Sequence, residues 1–230
     1  MFRTVRHWWG SGQGKSTVRL FAFEFMVVVL GVLVAQGVAD WAQSHGEQAE
    51  GERLLANATG LAGGLQRDFN YWGRFGPCLR GHVAGIGKAA ATGRTMTAEE
   101  IGRPALPLPD TVQLSADDWR KIRMVVPDKR ADALVGIFGA GSAYQQFISD
   151  IAQQWPTLRL LDGTDGPVSA EDRSRVRLAA IVIDNDLRWM MFQHATGSPR
   201  AFPAAGIATS ADLPDSAALV DNCGLLKDWR

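Results

Sequence analysis

Neither sign of charge is in excess, because 24 Lys and Arg side chains balance 24 Asp and Glu for a formal net charge of zero. Without a basic surplus the chain has no electrostatic footprint for nucleic acid, and that class of partner is set aside. Cysteine is scarce, with Cys78 and Cys223 alone, and histidine occurs only four times. With so few histidines, no convergent set of nucleophile, base and oxyanion donors can be assembled from the part after residue 40. No stretch sustains the period-two alternation of a strand, and no internal repeat is visible, so the expected fold class is all-α. Only one run is long and apolar enough to span a bilayer, which limits the chain to one anchor.

That run is Leu20 to Ala39, LFAFEFMVVVLGVLVAQGVA. About 20 residues at 1.5 Å per residue match a hydrocarbon core of roughly 30 Å. Arg3, Arg6, Lys15 and Arg19 precede it, whereas Asp40, Glu47, Glu50 and Glu52 follow it. Cations are retained on the cytoplasmic face, so the expected topology has the amino terminus inside and everything after Asp40 in the periplasm. Gly37-Val38-Ala39 also offers the small residues of a signal-peptidase site before Asp40, but the apolar stretch is long for a signal peptide. The expected organisation is a basic leader over 1–18, a transmembrane helix over 19–41, a membrane-proximal amphipathic helix over 42–76 and an exported helical domain over 77–230.

Within the exported part, Leu54, Ala58, Leu61, Leu65, Phe69 and Trp72 recur at steps of three and four, the stripe of an amphipathic helix. Gly46 and the Gly63-Gly64 pair are places where it could break, and Gly76-Pro77 is expected to end it. Leu79 to Ala91 then reads as a second, weaker helix. Thr97 with Glu100 has capping-box spacing, and Arg103 to Asp110, RPALPLPD, is too rich in proline for regular helix. Ser115 with Asp118 caps a segment carrying Trp119, Ile122 and Val126, which stops at Pro127. Two long helices follow, one between Lys129 and Trp155 closed by Pro156, the other between Ala170 and Ala195 capped by Ser169. Ile137, Gly141, Tyr144, Ile148, Ile151 and Trp155 form the buried stripe of the first. Val176, Ala180, Ile183, Leu187, Met190 and His194 form that of the second. The short, turn-rich loop from Asp162 to Pro167 makes them antiparallel neighbours.

Several motifs invite a chemical reading. Gly10 to Thr17, GSGQGKST, looks like the end of a phosphate-binding loop, but the glycine required five positions before Gly14 is Trp9. Cys78 and Cys223 both lie on the oxidising side, where they form either a disulfide closing a loop of more than 100 residues or two separate buried thiols. With His82 and His194 they could alternatively supply a Cys2His2 metal site, although the spacing is not that of a finger. Asp184 and Asp186 point in different directions on a helix and read as a solvated interruption of the apolar stripe. Glu24 lies inside the span, where a carboxylate costs a few kcal/mol unless protonated, paired or snorkelling. It shares a stripe with Gly31, Ala35 and Ala39, a small-residue face suited to close helix association.

The segment Phe23 to Trp41, FEFMVVVLGVLVAQGVADW, followed by a charged helix ending in Leu65-Gln-Arg-Asp-Phe69, resembles the amino-terminal signature of a family of uncharacterised bacterial single-span membrane proteins. Glu24, Val27 to Val29, Gly31, Val32, Leu33, Val34, Ala35, Gln36, Asp40 and Trp41 carry that likeness. Ala42-Gln43 departs from the Asn-Glu common in the family. The resemblance implies an anchored, mostly helical envelope protein with its anchor retained, and supplies no catalytic residues. The expected function is therefore binding or scaffolding, with the lipid bilayer, a second copy or another membrane protein as partners. No catalytic, cofactor-binding or metal-ligating residue is assigned. The alternatives are a ligand sensor or accessory subunit with Trp155, Trp189 and Tyr144 lining a small-molecule site, and a metal-dependent enzyme.

Overall fold

The computed structural model describes residues 13–109, 114–164 and 166–227. They are helical with no strands, and three isolated bridges are the only extended pairings among them. The chain divides into a unit that ends at Glu50 and a folded unit that begins at Gly51.

The first element, α1, runs from Gln13 to Thr92 without interruption. The end expected at Gly76-Pro77 is thus corrected, and Leu79 to Ala91 is the last part of the same helix rather than a second one. Pro77 withholds a backbone donor and costs about 3 kcal/mol in a helix interior. On either side of it Trp72, Phe75, Leu79 and Val83 are buried, each worth roughly 1.5–3 kcal/mol. Packing of the flanks outweighs the proline.

Two short helices follow. Thr97 opens α2 (Ala98–Ile101) with a complete capping box, in which Glu100 N donates to Thr97 Oγ1 and Thr97 N to Glu100 Oε2. Ser115 does the same with Asp118 for α3 (Ala116–Val125), which ends before Pro127. Between them residues 103–109 are non-helical, as their proline content requires, and lie along the bundle as a strap.

The two long helices are α4 (Asp128–Leu158) and α5 (Ala170–Thr196). Pro156 does not close α4 but sits in its final turn, and a 3-10 turn over Arg159–Leu161 ends the element. All six stripe positions expected in α4 are buried, as are Val176, Ala180, Ile183, Leu187 and Met190 in α5. His194 is half-buried. A last short helix, α6 (Ser198–Ala204), leads into a tail with a 3-10 turn over Asp215–Leu219.

The register of α5 against α1 is antiparallel and close. Added Cβ atoms would meet His194 at Gly73, Met191 at Gly76 and Ala180 at Gly87. Arg80 Nε donates to Asp184 Oδ1 at 2.5 Å. Farther along, Arg173 donates to the Arg94 carbonyl. Against α4, the Tyr144 hydroxyl donates to the Met190 carbonyl, and Phe69 of α1 stacks on Tyr144 with ring centroids 4.3 Å apart. One apolar core of α1, α4 and α5 results, with Phe202 of α6 packed into it.

Candidate functional site

In the first unit α1 is long and apolar enough to cross a membrane. Its large apolar side chains from Leu20 to Val38 have nothing packed over them, with Phe21 69 % exposed and Val34 64 %. Gly31 has no neighbour within 4 Å of an added Cβ, and Glu24, Ala35 and Ala39 are likewise exposed. Among the described residues nothing covers the association face read from the sequence. Trp41 follows the run and stacks on His45, with centroids 4.5 Å apart. Ser44 Oγ donates to the Trp41 carbonyl and Gln43 to Glu47, so the helix becomes polar within one turn. Part of the basic leader, residues 1–12, lies outside the described residues, and with it the first three residues of the GSGQGKST stretch.

In the folded unit the strap and the tail form one layer over α1. Tyr71 donates to the Ala105 carbonyl (3.2 Å), His82 Nε2 to Ile101 O (2.9 Å) and Gln145 to Pro109 O (2.7 Å). The tail pairs with the strap through Ala105 N to Gly224 O and Leu226 N to Arg103 O. Cys78 and Cys223 are disulfide-bonded, with Cα atoms 4.8 Å apart. The bond fastens the tail to an exposed position on α1, so the sulfurs are not separate buried thiols. Gly224 has a φ of 76°, and its missing side chain lets the tail lie against Tyr71 and Phe75. Burial, with Asp221 adding to it, pushes the Tyr71 phenol up to about 12, so it stays protonated as a donor.

The strap also borders a cavity of about 480 Å³. Trp155 and Ala152 of α4 form one wall, Pro104 to Leu106 of the strap another, and Leu226 of the tail closes the side. The Trp155 indole N–H is engaged by Gly102 O at 3.0 Å, which fixes the ring as an apolar wall. Among the described residues, Arg103 and Arg159 bring the charges to the lining. A second cleft of about 440 Å³ lies between α4 and the end of α5, with no charged group among the described residues of its lining. It contains Trp189 and Phe192, 49 % and 56 % exposed and in edge contact at 5.8 Å. The three aromatics named as lining one site are thus distributed: Trp155 on the first cleft, Trp189 on the second and Tyr144 in the core.

The remaining motifs separate similarly. Among the described residues no three His, Cys, Asp or Glu side chains form a metal-holding group. The Cys2His2 set is not assembled, since its sulfurs are bonded to each other and His82 is engaged with Ile101. His194 packs on Gly73 with Nδ1 buried and unpartnered, and burial lowers its pKa. Asp184 is held by Arg80 and Arg188.

Asp186 corrects the expectation of a solvated face. It is 7 % exposed, its Oδ2 has no partner, and it faces Asp150 of α4, to which Gln146 donates. Burial, and secondarily Asp150, raise its pKa from 3.8 to about 6. The raised value means that the contribution is intact below about 3.8 and is lost as pH rises through about 6. Asp186→Asn should match wild type near pH 4 and exceed it at pH 7 by about 1 kcal/mol after allowing for solvent screening, some 2–4 °C in Tm. Thermal melts of both proteins across that range check it, and a gap that does not vary with pH would contradict it.

No family model, curated protein or solved structure matches the chain. The class that the fold itself defines is a helical domain continuous with one helix long and apolar enough to span a membrane.

Proposed function

We propose that this chain is a single-pass protein of the inner membrane, with its amino terminus in the cytoplasm and its helical domain in the periplasm, whose role is to bind or scaffold a partner. The observation that carries the reading is the uncovered apolar surface from Leu20 to Val38. Burying an apolar side chain of that size is worth roughly 1.5–3 kcal/mol, so a helix that leaves the whole run exposed calls for lipid around it. The charge asymmetry around the run supports the orientation, and the Cys78–Cys223 bond suits an oxidising compartment. The likeness of Phe23 to Trp41 to the single-span family supports retention of the anchor.

The Glu24, Gly31, Ala35 and Ala39 face is the natural docking surface in the membrane, for a second copy or for another span. Crosslinking in intact cells tests this. A recurrent crosslinked product should form with wild type and be lost in Glu24→Leu and Gly31→Leu. A product unchanged in both variants would remove the span from recognition. The two clefts favour a second reading, in which the domain senses a small molecule.

A further inference from the structure

The side of α5 turned away from α1 and α4 is apolar. Leu178, Ile181, Val182, Trp189 and Phe192 are 42 to 64 % exposed, and their steps of three and four place them on one stripe of the helix. From Leu178 to Phe192 the stripe runs roughly 21 Å at 1.5 Å per residue. Those five are half of the exposed large apolar side chains described after Gly51, so the apolar surface is gathered on one face instead of scattered singly. A single polar residue, Asn185, stands in the middle of the stripe, seven residues from Leu178 and seven from Phe192. Its amide is exposed and has no partner among the described residues. We propose that this face is the contact between two copies of the chain, with Asn185 on the two-fold axis.

Area, polarity and charge each point to a second copy. The five side chains expose on the order of 500 Å² of apolar surface, more than a monomer ordinarily leaves in one patch. Trp189 and Phe192 also border the second cleft, where Gly136 and Ala140 of α4 extend the surface. Together these approach the roughly 800 Å² that each partner buries in a stable interface. The polarity is more selective. A carboxamide both donates and accepts, so a second asparagine is its complement, whereas lipid or a wholly apolar partner would leave it unpaired. In a two-fold contact the same patch meets itself, and a residue on the axis meets its own copy. Two charges at the edges of the stripe are already neutralised on their own helix, Arg188 by Asp184 at 3.0 Å and Arg175 by Glu171. Neither therefore repels its counterpart when two copies approach.

This contact belongs to the folded unit and makes no use of the Glu24 face, so it goes beyond the membrane reading. Oxidation of full-length Asn185→Cys with copper phenanthroline in native membranes tests it. A covalent dimer is expected, and none from Ala84→Cys, an exposed position on α1. Adding Ile181→Glu to Asn185→Cys puts a charge into the apolar contact at a side chain already 64 % exposed, so the fold accepts it. The dimer yield should then fall roughly ten-fold or more. Adding Gly31→Leu instead should leave the yield unchanged. An Asn185→Cys chain that stays monomeric would overturn the proposal, whether the face then rests on lipid or on a different protein. Equal dimer from Ala84→Cys, or a yield undiminished by Ile181→Glu, would do the same, and loss of the dimer with Gly31→Leu would move the association to the span. Fractionation of the same cells keeps the two readings apart, because a chain that stays in the membrane pellet retains its anchor whatever the crosslink shows.

Discussion

Replacing Cys78 with serine should lower stability by about 4 kcal/mol and Tm by about 10 °C, the larger of the two strongest effects expected here. The bond joins residues 145 apart in sequence, and closing so long a loop removes much of the conformational freedom of the unfolded chain. The tail it secures contributes few large apolar groups of its own: Val220 is buried, Leu225 and Leu226 only partly so. Its backbone pairs with the strap through two hydrogen bonds, near 2.8 and 2.9 Å. At about 1 kcal/mol net each, these do not replace the covalent link. Loss of the bond should therefore appear first as release of residues 220–227, seen as rapid amide exchange at Ala105 and Leu226, with α4 and α5 still protected. A Cys78→Ser protein that melts with wild type and keeps those amides protected would contradict this account.

The second large effect is a reversal of sign between two glycines of α1. Alanine is normally better than glycine inside a helix by about 1 kcal/mol. At Gly60 an added Cβ meets open space, so Gly60→Ala should raise stability by roughly that amount. At Gly51 the same Cβ would lie 2.5 Å from the Lys121 carbonyl oxygen, 3.1 Å from its carbon and 3.2 Å from Val125. Lys121 and Val125 belong to α3, and a peptide group cannot rotate away as a side chain does. Either α3 moves or α1 bends, at a cost of about 1–3 kcal/mol that exceeds the propensity gain. Gly51→Ala should thus lower Tm by several degrees while Gly60→Ala raises it, and parallel thermal melts decide the matter. Two stabilised proteins would show that α3 does not approach α1 so closely.

Local chemistry was legible in the sequence, and contacts between distant residues were not. Thr97 with Glu100 and Ser115 with Asp118 each satisfy their own helix ends within four residues, so spacing alone identifies them. The stripe from Ile137 to Trp155 follows from one helix needing one buried face. Pro77 misled for the same reason: its cost is local and visible, while the compensating burial depends on α5, more than 90 residues later. Gly76 reads as the end of a helix, yet like Gly51 and Gly73 it marks a place where another element comes close. Asp186 looked like a surface residue because its neighbours Asp184 and Asn185 are polar. Only the antiparallel register of α4 and α5 turns it towards Asp150.

The clefts were legible only as a scatter of aromatics. Trp155 and Trp189 stand on separate helices, and nothing in their spacing reveals that they wall different cavities while Tyr144 is in the core. Arg103 and Arg159 are 56 residues apart and meet one cavity because the strap runs back along α4. Proline content predicted the strap's extended backbone but not the surface it covers.

The central claim, a retained anchor with the helical domain on the periplasmic side, is tested most directly by protease accessibility in spheroplasts carrying a carboxyl-terminal tag, followed by alkaline carbonate extraction of the membranes. The account predicts that the tag is digested from outside without lysis, and that the undigested full-length chain stays in the carbonate pellet. A tag protected until lysis, or a full-length chain released by carbonate, would contradict it.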